Sequence, residues 1–532
     1  MKKLLTFICI LLFELSGALG QQSPLIEWQK TIGADTSDQL TSIEQTSEGG
    51  YILGGFSNSN ISGDKNENSN GNFDYWIVKI DFNGSIQWQN TIGGNNDDIL
   101  AAIHQTSDGG YIIGGFSASN ISGDKTENSI GDNDYWIVKT DSTGIIQWQN
   151  TIGGSDDDRL YAITQTTDGG YIIGGYSRSN ISGDKLENCS GYSDYWILKT
   201  DSLGNIQWQN TIGGSSVDQL EVVLQTTDGG YMLGGRSTSN ISGDKTENCN
   251  GAYDYWIVKT DSIGSIVWQN TIGGNNNDFF SDIKQTTDSG YILAGYSTSS
   301  ISGDKTDNSN GIEDYWILKT DAIGNIQWQN TIGGNNSDVL NSIEQTSDGG
   351  FMLGGWSRSD ISGDKTEYGC FGTNDYWIVK TDSIGNILWQ NTIGGSDYDQ
   401  LYSAQQTNDG GYILGGYSSS TISCDKSENS YGFFDYWLVK LFPDTITGIS
   451  DYPSTSNALY NKIYPNPTSN TLNIIINKNE ENIIIKNLLG EIVMEHTVFK
   501  DDIMTSEINI LFLSSGIYFA KIGNEVLKFI KL

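Results

Sequence analysis

A chain of 532 residues with 65 Asp or Glu against 29 Lys or Arg carries a formal charge of −36 at pH 7, and because residues 450–532 hold seven Lys against nine Asp or Glu, nearly all of the excess acid lies upstream. A field of that sign repels nucleic acid and anionic lipid and favours cations, neutral glycans or basic partners. His104 and His496 are the only histidines, so histidine chemistry repeated along the chain is excluded.

The first element is a leader. Lys2 and Lys3 precede the apolar run LLTFICILLF, which closes on Ser16-Gly17-Ala18-Leu19-Gly20, the layout of a Sec-type signal peptide over residues 1–20. No later stretch approaches the roughly 20 apolar residues a spanning helix requires, so no transmembrane segment is expected. From residue 25 the chain repeats itself. The phrase NISGDKTENSIGDNDYWIVKTD at Asn120–Asp141 recurs from Asn60, Asn180, Asn240, Ser300 and Asp360, with a looser copy from Thr421 to Leu441. A step of about 60 residues marks an array in which no unit buries its own apolar face.

Within one unit the pattern predicts four strands. Leu100–Thr106 is strand A, and Ser107-Asp108-Gly109-Gly110 is a hairpin signal. Tyr111–Ser117 is strand B, Asp134–Thr140 after the acidic loop is strand C, and Ile146–Ile152 after Asp141-Ser142-Thr143-Gly144 is strand D. In strand D, Ile146, Trp148 and Ile152 alternate with Gln147, Gln149 and Thr151, so one face is buried and one wet. The array enters on a strand D (Ile26–Ile32) and leaves on a strand C (Asp435–Leu441). Pairing those orphans closes a ring and removes the open edges. The expected fold is therefore all-β: a seven-bladed β-propeller at 25–442, closed by its N-terminal outer strand, with A innermost. The units resemble bacterial secreted propeller repeats of pattern GG…D…DGGY…GG…DYW…K.D..G.I.W. That resemblance implies a propeller, a fold that hosts enzymes, lectins and scaffolds alike.

Residues 443–462 read as a linker, and 463–532 change character. IYPNPTSNTLNIII, IIIKNLLGEIVMEH and INILFLSSGIYFAKIGNEVLKFIKL have the strand pattern of a small β-sandwich. They resemble the C-terminal sorting domain of type IX secretion, through Pro465-Asn466-Pro467, Leu489-Gly490 and the Leu513–Tyr518 block with Gly516 and Tyr518. The resemblance implies recognition by the secretion machinery, removal of the tail, and a secreted or cell-surface location.

The candidate ligand residues fall on loops of one face. Asp64, Asp124, Asp184, Asp244, Asp304, Asp364 and Asp425, one per ISGDK or related word, offer the hard oxygens that Ca²⁺ takes. Their spacing is not that of a calcium loop, and the adjacent Lys125 type of residue offers neutralisation without a metal. After the strand-B glycines stand Phe56, Phe116, Tyr176, Tyr296, Trp356 and Tyr417, with Arg236 in the seventh place. These rings read either as wedges between blades, the plainer account, or as sugar platforms, and Arg236 and Trp356 break the repeat. Cys189, Cys249, Cys370 and Cys424 follow repeat spacing rather than a ligand set, so neither a disulfide framework nor a metal cluster is expected. No catalytic residue is identified, since GxSxG, HExxH and a P-loop are all missing from the sequence. The leading reading is a non-enzymatic binding or adhesion propeller holding a glycan or surface protein. A structural surface-layer component and a glycan-degrading enzyme stand behind it.

Overall fold

In the computed structural model the described residues are 23–370 and 373–444, followed by 462–464, 471–476, 482–487, 492–497, 504–514, 516–522 and 525–531. The leader at 1–20, most of the 443–462 linker, and Pro465, Asn466, Pro467 and Gly490 lie outside the described residues. Two compact units part between Gly448 and Ile449.

The first unit consists of four-stranded antiparallel sheets, seven among the described residues, each in the order A-B-C-D. In the second sheet the strands are Asp98–Gln105, Tyr111–Ser117, Asp134–Thr140 and Ile146–Ile152. Strand A thus begins two residues before the expected Leu100. Asp98 donates its N–H to Phe73 O of the preceding sheet at 2.7 Å, and this bond starts the strand. Strand C is buried along its whole length because both of its faces meet apolar neighbours, whereas strand D exposes Gln147, buries Ile152 and keeps the residues between half-buried, so the expected split into a buried and a wet face is only partial. The strand-B glycines are required by close approach. A Cβ on Gly114 would stand 2.8 Å from Ile163 Cγ2 of the next sheet, and one on Gly115 would stand 2.0 Å from Ile99 O. Gly109, at φ +83°, closes the A–B turn in a conformation that L residues rarely adopt.

Strand Ile26–Ile32 pairs antiparallel with Asp435–Leu441, bringing Trp28 opposite Lys440 and Ile32 opposite Tyr436. The sheets join through one repeated contact. Tyr75 Oη donates to Trp136 O at 3.1 Å and its ring lies 4.8 Å from the Trp136 indole. The same bond runs from Tyr135 to Trp196, Tyr195 to Trp256, Tyr255 to Trp316, Tyr315 to Trp377 and Tyr376 to Trp437. It returns from Tyr436 to Trp76 O at 2.9 Å, so the array closes on itself and the last sheet shares a core with the first. A closed array of radial four-stranded sheets is a β-propeller.

The tyrosines of the DYW words, fully buried, are wedges between sheets, and of the rings after the strand-B glycines Phe116 also reaches the next sheet, 6.3 Å from Tyr161. Strand-D tryptophans such as Trp28, Trp88 and Trp148, expected in the core, are half-buried and pack edge-on against Tyr51, Tyr111 and Tyr171.

The cysteine expectation is overturned. Cys370 and Cys424 form a disulfide with Cα atoms 6.5 Å apart. The reason lies in the junction geometry: in the earlier sheets a Cβ on Gly123 would meet Asn70 Nδ2 at 2.9 Å, so the Asn of one sheet abuts the ISGDK glycine of the next. Cys370 occupies that Asn place, its N–H bonding Asp375 Oδ2 as Asn70 N–H bonds Asp74, and Cys424 replaces the glycine, keeping a φ of +49°. Comparing equivalent positions, as for Cys189 and Cys249, overlooks a bridge between non-equivalent ones; those two thiols remain free.

The second unit has a three-stranded sheet (Lys462–Tyr464, Thr471–Ile476, Met504–Asn509) and a four-stranded sheet in the order Ile492–Thr497, Asn482–Asn487, Gly516–Ile522, Glu525–Lys531. Leu472 and Ile508 of the first share one apolar cluster with Ile483, Ile485, Tyr518 and Ala520 of the second. Gly516 opens its strand, and Tyr518 Oη donates to Ser514 O at 2.9 Å.

Candidate functional site

Each inner strand of the propeller carries a β-bulge, in the second sheet between Leu100 and Ala102, that takes one residue out of register. The bulge residues are Thr41, Ala101, Tyr161, Glu221, Ser281, Asn341 and Tyr402, one from each sheet, and all seven line a single cavity of about 570 Å³. Since every sheet contributes, the cavity lies on the axis of the ring.

Of the ring-bearing positions singled out in the sequence, Phe116 and Tyr296 line this cavity together with Arg236. Tyr176 stacks on Tyr161 with centroids 5.9 Å apart, and Tyr417 on Tyr402 at 5.3 Å, so both support the lining. Phe56 packs edge-on against Phe73 and Trp356 lies beneath Arg358, both away from the lining. The bulge residues escaped the sequence reading because no pattern marks a bulge. Their signal is that they differ from sheet to sheet while strands C and D scarcely change.

Glu221 is the charged bulge residue. Its Oε1 lies 3.4 Å from Arg236 Nη2, and Arg236 Nε donates to Gln219 Oε1 at 3.0 Å. Burial pushes the Glu221 carboxyl up to about 7, with Arg236 opposing the rise. A carboxyl so placed changes charge near neutral pH, which is a property of functional sites and of buried ion pairs alike. Arg159 lies over Phe116 at 5.0 Å and its Nε donates to Asp157 Oδ1 at 3.0 Å, while Asp157 Oδ2 is 3.4 Å from Arg178 Nη1.

The ISGDK aspartates are placed differently. Asp124 Oδ2 accepts Gly93 N–H at 3.2 Å and Asn70 Nδ2–H at 3.3 Å, tying the loop of one sheet to the preceding junction. Asp64, Asp184, Asp244, Asp304, Asp364 and Asp425 accept the matching glycine N–H. The following lysine does not neutralise them. Lys125 turns inward, donates to Thr151 Oγ1 at 2.8 Å and stands 5.1 Å over the Trp136 ring, where burial draws its amine down to about 8 against the pull of Asp98 and Asp134. Among the described residues no three His, Cys, Asp or Glu side chains converge as a metal-holding group. Asp134 Oδ2 gathers the N–H groups of Ile130 and Gly131, and burial raises its carboxyl to about 6.

Residues 462–531 match the Secretion system C-terminal sorting domain. With the closed array before it, the chain is a β-propeller protein bearing a type IX sorting domain, exported to the cell surface or beyond. A 162-residue stretch is 24% identical to Regulatory protein FlaEY of Caulobacter vibrioides, covering 29% of this chain and 17% of that protein's length. Among solved structures, the chain is similar to the Neurospora crassa Pan2 WD40 domain (TM-score 0.42, 10% identity, 78% of this chain and 99% of that one). It is also similar to quinohemoprotein alcohol dehydrogenase from Comamonas testosteroni (TM-score 0.36, 11% identity, 82% and 78%).

Proposed function

We propose that the protein is a seven-bladed propeller, residues 25–442, that binds a ligand at its axial cavity without transforming it and serves adhesion or capture at the cell surface. In this reading residues 1–20 are a cleaved leader, 443–462 a linker, and 463–532 a β-sandwich that addresses the chain to the type IX machinery. The observation that carries the proposal is the contrast between wall and frame: Thr41, Ala101, Tyr161, Glu221, Ser281, Asn341 and Tyr402 differ around one cavity, while DYWIVKT and IQWQNTI repeat almost letter for letter. Stacked tyrosines beside an amide, hydroxyls and a carboxyl suit a sugar ring, whose C–H face lies on an aromatic plane while its hydroxyls find polar partners.

The experiment is binding of the secreted protein to a glycan array, repeated with Tyr161→Ala and Tyr402→Ala. Retention of specific glycans, lost in both variants, is the expected result; binding unchanged in both refutes the axial site. One observation favours a second reading as a glycan-degrading enzyme, namely the Glu221 carboxyl held near neutrality in a cavity, the condition of a general acid. Turnover of a polysaccharide panel, abolished by Glu221→Gln, would establish it. A structural surface-layer role, the third reading, predicts no glycan retention at all. The ISGDK aspartates act in this proposal as loop pins, and heat of binding on titration with millimolar Ca²⁺ would reverse that assignment.

A further inference from the structure

The whole chain contains four arginines, Arg159, Arg178, Arg236 and Arg358. They come from three sheets and three different repeat positions, yet all stand at one end of the ring, where strand A begins and strand B ends. The lysines of the array behave otherwise. Lys65 and Lys79 and their equivalents recur in every sheet, are buried, and are occupied with threonine hydroxyls, with turn aspartates or with both. Lys30 and Lys284 also break the repeat, but each is paired with a carboxylate of its own, Glu428 and Asp282, and the arginines are the cations that gather at this end of the ring.

Each guanidinium lies on a ring: Arg159 on Phe116 at 5.0 Å, Arg178 on Tyr192 at 4.7 Å, Arg236 on both Tyr253 and Phe279 at 5.5 Å, and Arg358 on Tyr398 at 5.7 Å. A stacked guanidinium turns its N–H edge sideways, where a planar anion is held with two parallel hydrogen bonds; part of each edge is here engaged by Asp157, by Gln219 and Glu221, or by Asn374. Two carboxylates are paired with the four guanidiniums. Asp157 is shared between Arg159 and Arg178, Glu221 faces Arg236, and the partner of Arg358 Nε is the neutral Asn374 amide. Arg178 Nε is buried without a hydrogen-bond partner, so this fork still has a donor to satisfy. In a chain of charge −36, four stacked guanidiniums beside tyrosines form a cationic cluster within an acidic surface, and the field of that surface holds off polyanions that cannot fit the pocket.

From this clustering we infer that the axial cavity and its arginine-bearing mouth bind an acidic glycan, a sugar chain whose units carry carboxylate or sulfate groups. The inference rests on the binding role proposed above and adds the charge of the ligand. The tyrosine planes take the sugar rings, Arg236 takes an acidic substituent inside the cavity, and Arg159 and Arg178 take one at its mouth.

The test is calorimetric titration of the full-length secreted protein with polygalacturonate, chondroitin sulfate, neutral laminarin and poly-glutamate, at low and at 0.5 M salt. The expected result is binding of polygalacturonate, chondroitin sulfate or both, at least tenfold weaker at high salt and at least tenfold weaker in Arg236→Gln and Arg159→Gln. Which of the two acidic glycans binds separates uronate from sulfate recognition. Arg178→Gln, which leaves Arg159 to hold Asp157, checks the mouth independently should the inner variants fail to fold; a weakening of threefold or more supports the inference. Equal binding of laminarin, untouched by all three substitutions, overturns the acidic ligand while leaving the binding role standing. Binding of poly-glutamate alone overturns the glycan assignment. Failure of every probe to bind removes this inference and the binding role together.

Discussion

The bridge between Cys370 and Cys424 offers a test in which the repeat supplies its own control. Opening it with Cys370→Ser releases a loop of 54 residues, and the loop-entropy relation assigns such a closure about 4 kcal/mol at 25 °C. Replacing both residues by those of the preceding junction, Cys370→Asn with Cys424→Gly after Asn310 and Gly363, removes the same cross-link but returns two things. Glycine recovers roughly 1 kcal/mol from the φ of +49° that Cys424 holds in a left-handed conformation. Asparagine recovers the bond that Asn310 Nδ2 makes to Gly333 O at 3.2 Å at the neighbouring junction, about 1 kcal/mol. The expected order is therefore native, then the double variant about 2 kcal/mol lower, then Cys370→Ser about 4 kcal/mol lower. For an array of about 420 residues unfolding with roughly 2.1 cal/mol/K per residue, 4 kcal/mol is a fall of about 5 °C in Tm. Guanidinium titrations of all three proteins measure the order, and reductant should bring the native protein down toward Cys370→Ser. A Cys370→Ser midpoint equal to the native one, or a double variant less stable than the single, would refute the reasoning.

Two further outcomes follow from the same frame. Tyr436→Phe removes the donor to Trp76 O at the seam, and Tyr255→Phe removes the donor to Trp316 O away from it. Each should cost about 1–2 kcal/mol in denaturant, and a seam loss several times larger would show that the junctions are not equivalent. The DYW carboxyls Asp74, Asp134, Asp254 and Asp314 are raised by burial to about 6, from 3.8 when free. Groups raised in this way cost stability while ionised, so the array gains stability as pH falls from about 7 toward 4. Lys125, drawn down by burial to about 8, is charged throughout that window and adds no slope. Asp108, held at about 2 against its burial by Thr106 and Lys139, loses its contribution only below 3.8. Melting temperature measured by calorimetry should therefore rise from pH 7.5 to 4.5 and fall below about 3.5; a steady fall on acidification from pH 7.5 would contradict the buried-carboxyl account.

Most of the frame was legible because it obeys period-two rules that a sequence displays. The orphan strands at Ile26–Ile32 and Asp435–Leu441 announced their pairing, whereas the alternation of strand D overstated its wet face, since Gln149 is engaged by Trp136 and by Asp124 O. The DYW tyrosine went unread as a wedge because Phe116 and Tyr135 are both aromatic and stand opposite each other in register; only the third dimension shows that Tyr135 reaches Trp196 O. Lys125 was taken as a neighbour of Asp124 because sequence adjacency ignores the tight turn between Ser122 and Lys125, which sends the two side chains to different surroundings. The bulge was invisible for a deeper reason: it is a fault in pairing between two strands and leaves no mark on either strand read alone.

Divergence at the bulge could be no more than freedom, since a residue facing a cavity constrains little. The exposed surface shows both behaviours. Ile61, Ile121, Ile181, Ile241, Ile301 and Ile422 are about 60% exposed and every one is isoleucine, whereas the likewise exposed Asn72, Asp132, Tyr192, Ala252, Ile312 and Phe433 differ from sheet to sheet. Exposure permits drift without enforcing it. Thr41, Ser281 and Asn341 are the small polar residues that drift would give, and the shape of the cavity comes from the others, Tyr161, Tyr402, Glu221 and the stacked arginines, which are large or charged. Large rings at the waist of a ring of sheets narrow an opening that small residues would leave wide, and guanidiniums at its mouth oppose the field of the remaining surface. Both changes turn a symmetric hole into an asymmetric pocket, which is what a single ligand of low symmetry requires from seven nearly identical sheets.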